Sequence, residues 1–323
     1  MEPTLAPFFE HIRLDLPEVE ARMRASPGDH HPSLQAALEQ ILSAGGKRIR
    51  PTLALLAGRM LGADPGRLIT MAASIELLHT ATLVHDDLID GSLLRRGLPT
   101  LNASWSPGAT VLTGDYVFAR AAYLASETGS LELMAMFART LMTIVNGELT
   151  QLFRAPGGDL RREYLNRIYA KTASLFELSA EGAAVLSGKD GETRSRMKAY
   201  GYNLGMAFQI VDDVLDFVAD PQLVGKPVAN DLRQGLLTLP TLYYLESRSA
   251  DGDLADQLRA RSLSEPALNR LVEAIRSSGA IDRAMEEARD MAAVGQKQLD
   301  DLPGSAEAAS LRELAHYLVE RGS

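Results

Sequence analysis

Proline is absent between Pro107 and Pro156, and again between Pro156 and Pro221. Because proline breaks a helix from within, these intervals leave room for long helices. Their apolar residues recur at helical spacing, as in Leu131, Met134, Phe137, Ala138, Leu141 and Val145. Alternating runs of β-branched residues, the mark of half-buried strands, are hard to find anywhere. Aromatics make up only 6% of the chain, so alanine and the aliphatic residues carry most of the 46% hydrophobic content. That balance favours helix packed on helix. The reading is an all-α chain of about ten helices joined by short polar loops. Loops are expected near 26–32, 63–66, 91–107, 155–159, 188–192, 219–231 and 247–253. No repeat or low-complexity linker divides the 323 residues, so residues 1–323 read as a single domain. Ser264-Glu265-Pro266 and Ser305-Ala306-Glu307 open amphipathic helices expected on the outside of the bundle.

Charge and cysteine content exclude several chemistries. A net charge of −9 argues against general nucleic-acid binding, which needs clustered Lys and Arg. It leaves small anionic substrates open, because a site needs only local positive charge or a metal. The chain has no cysteine, so disulfides and thiolate chemistry are ruled out. Met1-Glu2-Pro3-Thr4 lacks the basic region and apolar run of a signal peptide. No stretch approaches the roughly 18 apolar residues of a spanning helix, and the expected location is cytoplasmic.

Two acidic clusters stand out. His85-Asp86-Asp87-Leu88-Ile89-Asp90 closes the apolar run 75–84, and Asp212-Asp213-Val214-Leu215-Asp216 closes the run 200–211. Each reads Asp-Asp-x-x-Asp at the end of a hydrophobic helix. At about 100° per residue, the first and last positions lie within about 40° of one another on the helix surface. Asp86 with Asp90, and Asp212 with Asp216, therefore project the same way. Crowded carboxylates repel and favour a shared cation. Mg²⁺ takes a few carboxylates, several waters and substrate phosphates. One such cluster reads most simply as a solvated helix end; two, each after an apolar run, point to metal held on a diphosphate.

Cations supply the complement. Gly45-Gly46-Lys47-Arg48-Ile49-Arg50-Pro51 sets flexible backbone and three cations just before a helix that Pro51 could start. Arg95-Arg96 and Lys226 follow the two acidic clusters, and Lys171-Thr172 opens another apolar segment. Taken singly, each reads as solvated surface; together they describe a site for two polyanions. His79 lies two helical turns before Asp86 and could donate to a phosphate oxygen, whereas His85 reads as structural. Gln209, three residues before Asp212, points toward the same place.

These blocks, in this order, resemble the trans-isoprenyl diphosphate synthases, or polyprenyl synthetases. The matching segments are 45–51, 76–90 with Arg95-Arg96-Gly97, Gly114-Asp115, Lys171-Thr172, 205–216, and Gly225-Lys226 through 231–240. Asn230, where the family often has Gly, is a minor departure. The resemblance implies a helical bundle around a deep central cavity, of the isoprenoid synthase type. It also implies a Mg²⁺-dependent, head-to-tail condensation of isopentenyl diphosphate with an allylic prenyl diphosphate, with three ions per site. By position, Asp86, Asp90 and Asp212 would ligate Mg²⁺, with Asp87, Asp213 and Asp216 as further or water-mediated ligands. Arg95, Lys171 and Lys226 would grip the allylic diphosphate, helped by Thr172 and Gln209. Lys47, Arg50, His79 and Arg96 would hold isopentenyl diphosphate. Catalysis would rest on Asp86, Asp90, Asp212, Lys171 and Lys226.

In the resembled family, bulk at the fourth and fifth positions before the first cluster limits product length. Here those positions are Thr82 and Ala81, both small, so a geranylgeranyl or longer product is expected. Family members are commonly homodimers, and the segments 111–124 and 135–145 could supply an interface. A lipid product suggests transient membrane contact at release, without an encoded anchor. Three rival readings remain. An HD-type phosphohydrolase leaves the second acidic cluster unexplained, and a terpene cyclase usually replaces it. A non-catalytic subunit of a heteromeric synthase tends to lose residues that are all kept here.

Overall fold

The computed structural model describes residues 7–320 apart from 26, 27, 29, 96, 154–157, 219–227, 248–253, 255, 256, 259 and 261. They form two compact units. The first comprises residues 1–141, 175–198 and 301–313, and the second residues 142–174, 199–300 and 314–323.

The first unit is organised by the helix Pro65–Ile89 (α4), which starts sharply. Asp64 caps it by accepting from the Arg67 amide at 2.9 Å, and Pro65 supplies a preset first turn. Apolar residues surround α4 rather than forming a stripe, and Leu68, Met71, Ile75, Leu77, Leu78 and Ala81 are all buried. Such a helix is a core element. By length and composition it could also cross a membrane, contrary to the expectation that no stretch qualifies, but most of that stretch is buried inside the unit. Its chief neighbour is Pro107–Glu127 (α6), with Ile49–Leu61 (α3) and Asp15–Arg24 (α1) next. Small residues let α4 and α6 approach: Ser74 donates to the Ala121 carbonyl at 2.8 Å, and His85 occupies the space beside Gly114. The helix Pro32–Ser43 (α2) completes this side. The segment 91–107, read as a loop, holds a short antiparallel pair, Leu94–Arg95 with Leu98–Pro99, and the single turn Leu101–Ser104 (α5). Gly97, at φ 76°, makes the pair's tight reversal.

The helix Leu131–Leu152 (α7) contributes residues from 142 onward to the second unit. There Leu160–Ile168 (α8) runs into a π-helical turn, Tyr169–Ala173, ahead of Ser174–Leu186 (α9). The long helix Gly191–Val218 (α10) supplies residues 199–218. Their core gathers Tyr164, Ile168, Met206, Ile210, Val214 and Phe217 with Leu239, Val272, Ile275 and Met285. The expected helix starts near 264 and 305 are present as Glu265–Ser277 and Ala306–Glu320. The C-terminal helices are less peripheral than their polar composition suggests. Ala280–Lys297 buries Ala284, Ala288, Ala292 and Gly295, and an added Cβ on Gly295 would sit 3.5 Å from the Tyr200 carbonyl oxygen. Small residues, with Met285 the one large apolar side chain among them, mark that buried face.

Gly147 of α7 packs on the π-turn, where an added Cβ would lie 2.4 Å from Ala170 Cβ. A Cβ cannot rotate away, so Gly147→Ala should cost about 1–3 kcal/mol by overpacking. Gly108, with nothing within 4 Å of its built Cβ, should accept alanine with a change within about 0.5 kcal/mol or a gain. Urea unfolding of the two variants checks this pair, and equal midpoints would contradict it.

Candidate active site

In the first unit, the C-terminal end of α4 carries the first acidic cluster. Asp86 and Asp87 are buried, whereas Asp90, the C-cap, is exposed. Asp86 and Asp90 are one turn apart, about 6 Å along the axis. Asp87 is committed to the β-pair: Arg95 Nε lies 2.9 and 3.0 Å from its two oxygens and Arg95 Nη2 2.9 Å from Oδ1. The cation expected to grip a substrate phosphate thus sits on the cluster's second carboxylate. Arg96 lies outside the described residues.

Beside this cluster is a cavity of about 520 Å³ with two kinds of wall. Ile41, Leu42, Leu83, Val84, Leu98 and Leu101 form an apolar side, and Gly45, Arg48, His79, Asp87 and Arg95 a polar one. It joins His79 and Arg95 to the glycine turn, although the two were assigned to different substrates. Lys47 is exposed just outside this lining. Arg50 is buried, with its guanidinium carbon 5.2 Å from the Phe176 ring centroid. Ala81 is buried and Thr82 half-buried, and the Thr82 hydroxyl turns back to the His79 carbonyl at 2.7 Å. His85, read as structural, packs 5.2 Å from Phe118 and lies 3.2 Å from the Val111 carbonyl oxygen. Sequence reasoning gave no role to Glu76 and counted Arg48 only among the cations of the glycine turn, without their pairing. The available signal for Glu76 was a lone carboxylate inside an apolar run.

The second unit carries the other cluster, and its order comes from a chain of hydrogen bonds. Lys171 and Thr172 lie in the π-turn, a helix defect often found at functional sites. Lys171 Nζ is 3.2 Å from Glu148 Oε1. The Thr172 hydroxyl donates to Gln209 Oε1 at 2.6 Å, and Gln209 Nε2 donates to Asp213 Oδ1 at 2.8 Å. Tyr164 donates its hydroxyl to Asp213 Oδ2 at 2.8 Å. Asp213 therefore has both oxygens occupied by protein donors. Burial, with the nearby Asp231 charge, pushes its carboxyl up to about 7, against the pull of Gln209, Arg167 and Tyr164. Burial and then Asp213 itself push the Tyr164 phenol well above its ordinary value. Asp212 and Asp216 are half-buried, and Asp216 Oδ2 accepts the Asp231 amide at 3.0 Å. Ala229 is left-handed, at φ 54°, one before the position marked as the glycine departure. Its amide donates to the Asp216 carbonyl at 2.8 Å. Asn230 instead opens the short helix Asn230–Arg233. Lys226 lies outside the described residues.

No three carboxylates or imidazoles converge into a ready-made cage among the described residues. What is present is a pair of carboxylates one turn apart on each helix. Mg²⁺ commonly binds through one or two carboxylates plus water and substrate phosphate, so this donor set fits it. Direct ligation by Asp87 or Asp213 would require exchanging a protein donor.

Tyr164→Phe keeps the ring and removes one donor from a buried carboxylate. It should cost about 1–3 kcal/mol in urea unfolding of metal-free protein at neutral pH. A loss near zero would mean that the hydroxyl is not holding Asp213.

The chain is 38% identical over 287 residues to octaprenyl diphosphate synthase of Escherichia coli (strain K12), covering 87% of this chain and 88% of that protein. A polyprenyl synthase from Caulobacter crescentus CB15, solved with calcium and isoprenyl diphosphate, superposes with a TM-score of 0.89 at 35% identity, covering 98% of this chain and 97% of that one. A decaprenyl diphosphate synthase from Rhodobacter capsulatus gives 0.89 at 32% identity, with 98% of each chain covered. The polyprenyl synthetase family model matches residues 31–275, across both acidic clusters, and the chain belongs to that family.

Proposed function

We propose that this chain condenses isopentenyl diphosphate head-to-tail with an allylic prenyl diphosphate, giving a geranylgeranyl or longer trans-polyprenyl diphosphate and free diphosphate. The observation that carries this reading is the first unit's cavity. It sets a cationic and imidazole rim against an apolar wall, beside a carboxylate cluster. That combination suits a small diphosphate with a short hydrocarbon. The family match extends through residues of both units, and we read residues 1–323 as one functional domain.

Asp86 with Asp90, and Asp212 with Asp216, are the carboxylates we assign to Mg²⁺, with three ions per site as our reading. When bound, Mg²⁺ supplies positive charge against the leaving diphosphate oxygens. Asp87 and Asp213 hold Arg95 and the Gln209–Thr172 chain in place. Lys171, 40% exposed on its bond to Glu148, binds the allylic diphosphate with Arg95, Thr172 and Gln209. Lys47, Arg50 and His79 bind isopentenyl diphosphate. Arg96 and Lys226 keep the roles implied by the family. Holding the alkene close to the allylic carbon makes bond formation effectively unimolecular. The departing diphosphate accepts the proton that is lost, so no side-chain base is required. The apolar wall excludes water, which would otherwise quench the allylic cation.

Neither Ala81 nor Thr82 presents bulk along α4, which supports a long product. A homodimer is supported by an exposed apolar stripe on α7: Met142, Val145, Leu149 and Leu152 recur at helical spacing, exposed between 46 and 68%. On α6, Leu112 and Tyr123 are also exposed. Membrane contact at product release remains part of the reading.

Incubation with radiolabelled isopentenyl diphosphate and farnesyl diphosphate, with and without Mg²⁺, tests the function. Elongation that stops on chelation is expected. A folded sample inert with every allylic primer would favour the non-catalytic subunit. Asp86→Ala and Asp212→Ala should each lower kcat on the order of 10³-fold or more with the fold intact; near-normal turnover in either would remove the metal assignment. Ala81→Phe should shorten the product, and an unchanged distribution would place the growing chain elsewhere.

A further inference from the structure

Arg48 is the N-cap of α3, at φ 49° and ψ 33°. This left-handed conformation is unfavourable for a residue with a Cβ, and such a residue persists only where its surroundings over-determine it. The Arg48 carbonyl accepts from the Thr52 amide at 2.9 Å and the Thr52 hydroxyl at 2.8 Å. Arg48 Nη1 donates to Glu76 Oε1 at 3.0 Å and Nε to Glu20 Oε1 at 3.1 Å. The Glu20 side chain is 46% exposed and that of Glu76 only 6%, so Glu76 is the inner anchor. Its second oxygen is shut off from solvent and has no hydrogen-bond partner among the described residues.

A buried carboxylate with one oxygen unmatched is a poor device for stability, since ion pairs taken from water are costly unless fully satisfied. Its placement suggests another use. Glu76, His79, Thr80, Leu83, Val84 and Asp87 all line the cavity from one stripe of α4. Arg48 reaches that stripe from the glycine turn, between the exposed Lys47 and the buried Arg50. We propose that the Arg48–Glu76 pair is a positioning clamp. It ties the turn 45–50 to the α4 stripe, so that Lys47 and Arg50 are held ready for the diphosphate of the isopentenyl substrate.

The inference rests on the proposed use of this cavity, and wild-type elongation in the same assay checks that reading separately. The test is a double-mutant cycle of Arg48→Gln and Glu76→Gln in the full chain, with KM measured for each substrate. Each single variant should raise KM for isopentenyl diphosphate about tenfold, leaving KM for the allylic diphosphate and kcat within about twofold. The double variant should be no worse than the worse single one, because both break the same clamp. Arg48→Gly relieves the backbone while removing the side chain, so it should raise the same KM. It also carries the test should Arg48→Gln fail to fold. Unchanged KM values, equal rises for both substrates, or effects that multiply in the double variant would overturn the clamp.

Discussion

Like charges crowded at a helix end are the constraint on which the rest of this site depends. Three aspartates within five residues repel one another, and a fold can keep them ionised only by supplying donors or a cation. Each cluster answers in part with its own protein donors. Asp87 takes the fork of Arg95, and Asp213 takes the Tyr164 hydroxyl and the Gln209 amide. In each cluster the second aspartate becomes an anchor, and the two outer aspartates share a helix face one turn apart. That division gives Asp-Asp-x-x-Asp a physical sense: the middle carboxylate fixes the orientation in which the outer pair is presented.

The anchors bring neighbouring chemistry with them. Holding Arg95 on Asp87 fixes the β-pair whose Leu98 and Pro99 help line the cavity. Holding Gln209 on Asp213 fixes Thr172, and with it the π-turn that carries Lys171. Close helix contact makes this possible, since Gly147 lets α7 lie against Ala170 and Gly114 makes room for His85. Buried ionic groups are costly when only half satisfied, which makes these networks exacting.

Much of this was legible in the sequence because it follows from spacing. Proline-free intervals gave the helices, and the five-residue motif gave the shared face of Asp86 with Asp90 and Asp212 with Asp216. What stayed hidden depends on long-range approach. Nothing local says that Arg95 folds back on Asp87, that Tyr164 meets Asp213 across 49 positions, or that Arg48 rather than a glycine takes the left-handed turn. The same holds for Ala229, whose conformation is set by the Asp216 carbonyl rather than by its own side chain. Gln209 and Thr172 were singled out separately, and the structure unites them through a 2.6 Å hydrogen bond.

The central claim is that the carboxylate pairs form incomplete metal sites, finished by the diphosphate of a bound substrate. Isothermal titration of Mg²⁺ into the metal-free protein, with and without a non-hydrolysable thiolo analogue of farnesyl diphosphate, tests this most directly. The account predicts weak, unsaturating binding to the protein alone and saturable binding once the analogue is present. Tight, saturable Mg²⁺ binding that is indifferent to the analogue would contradict it.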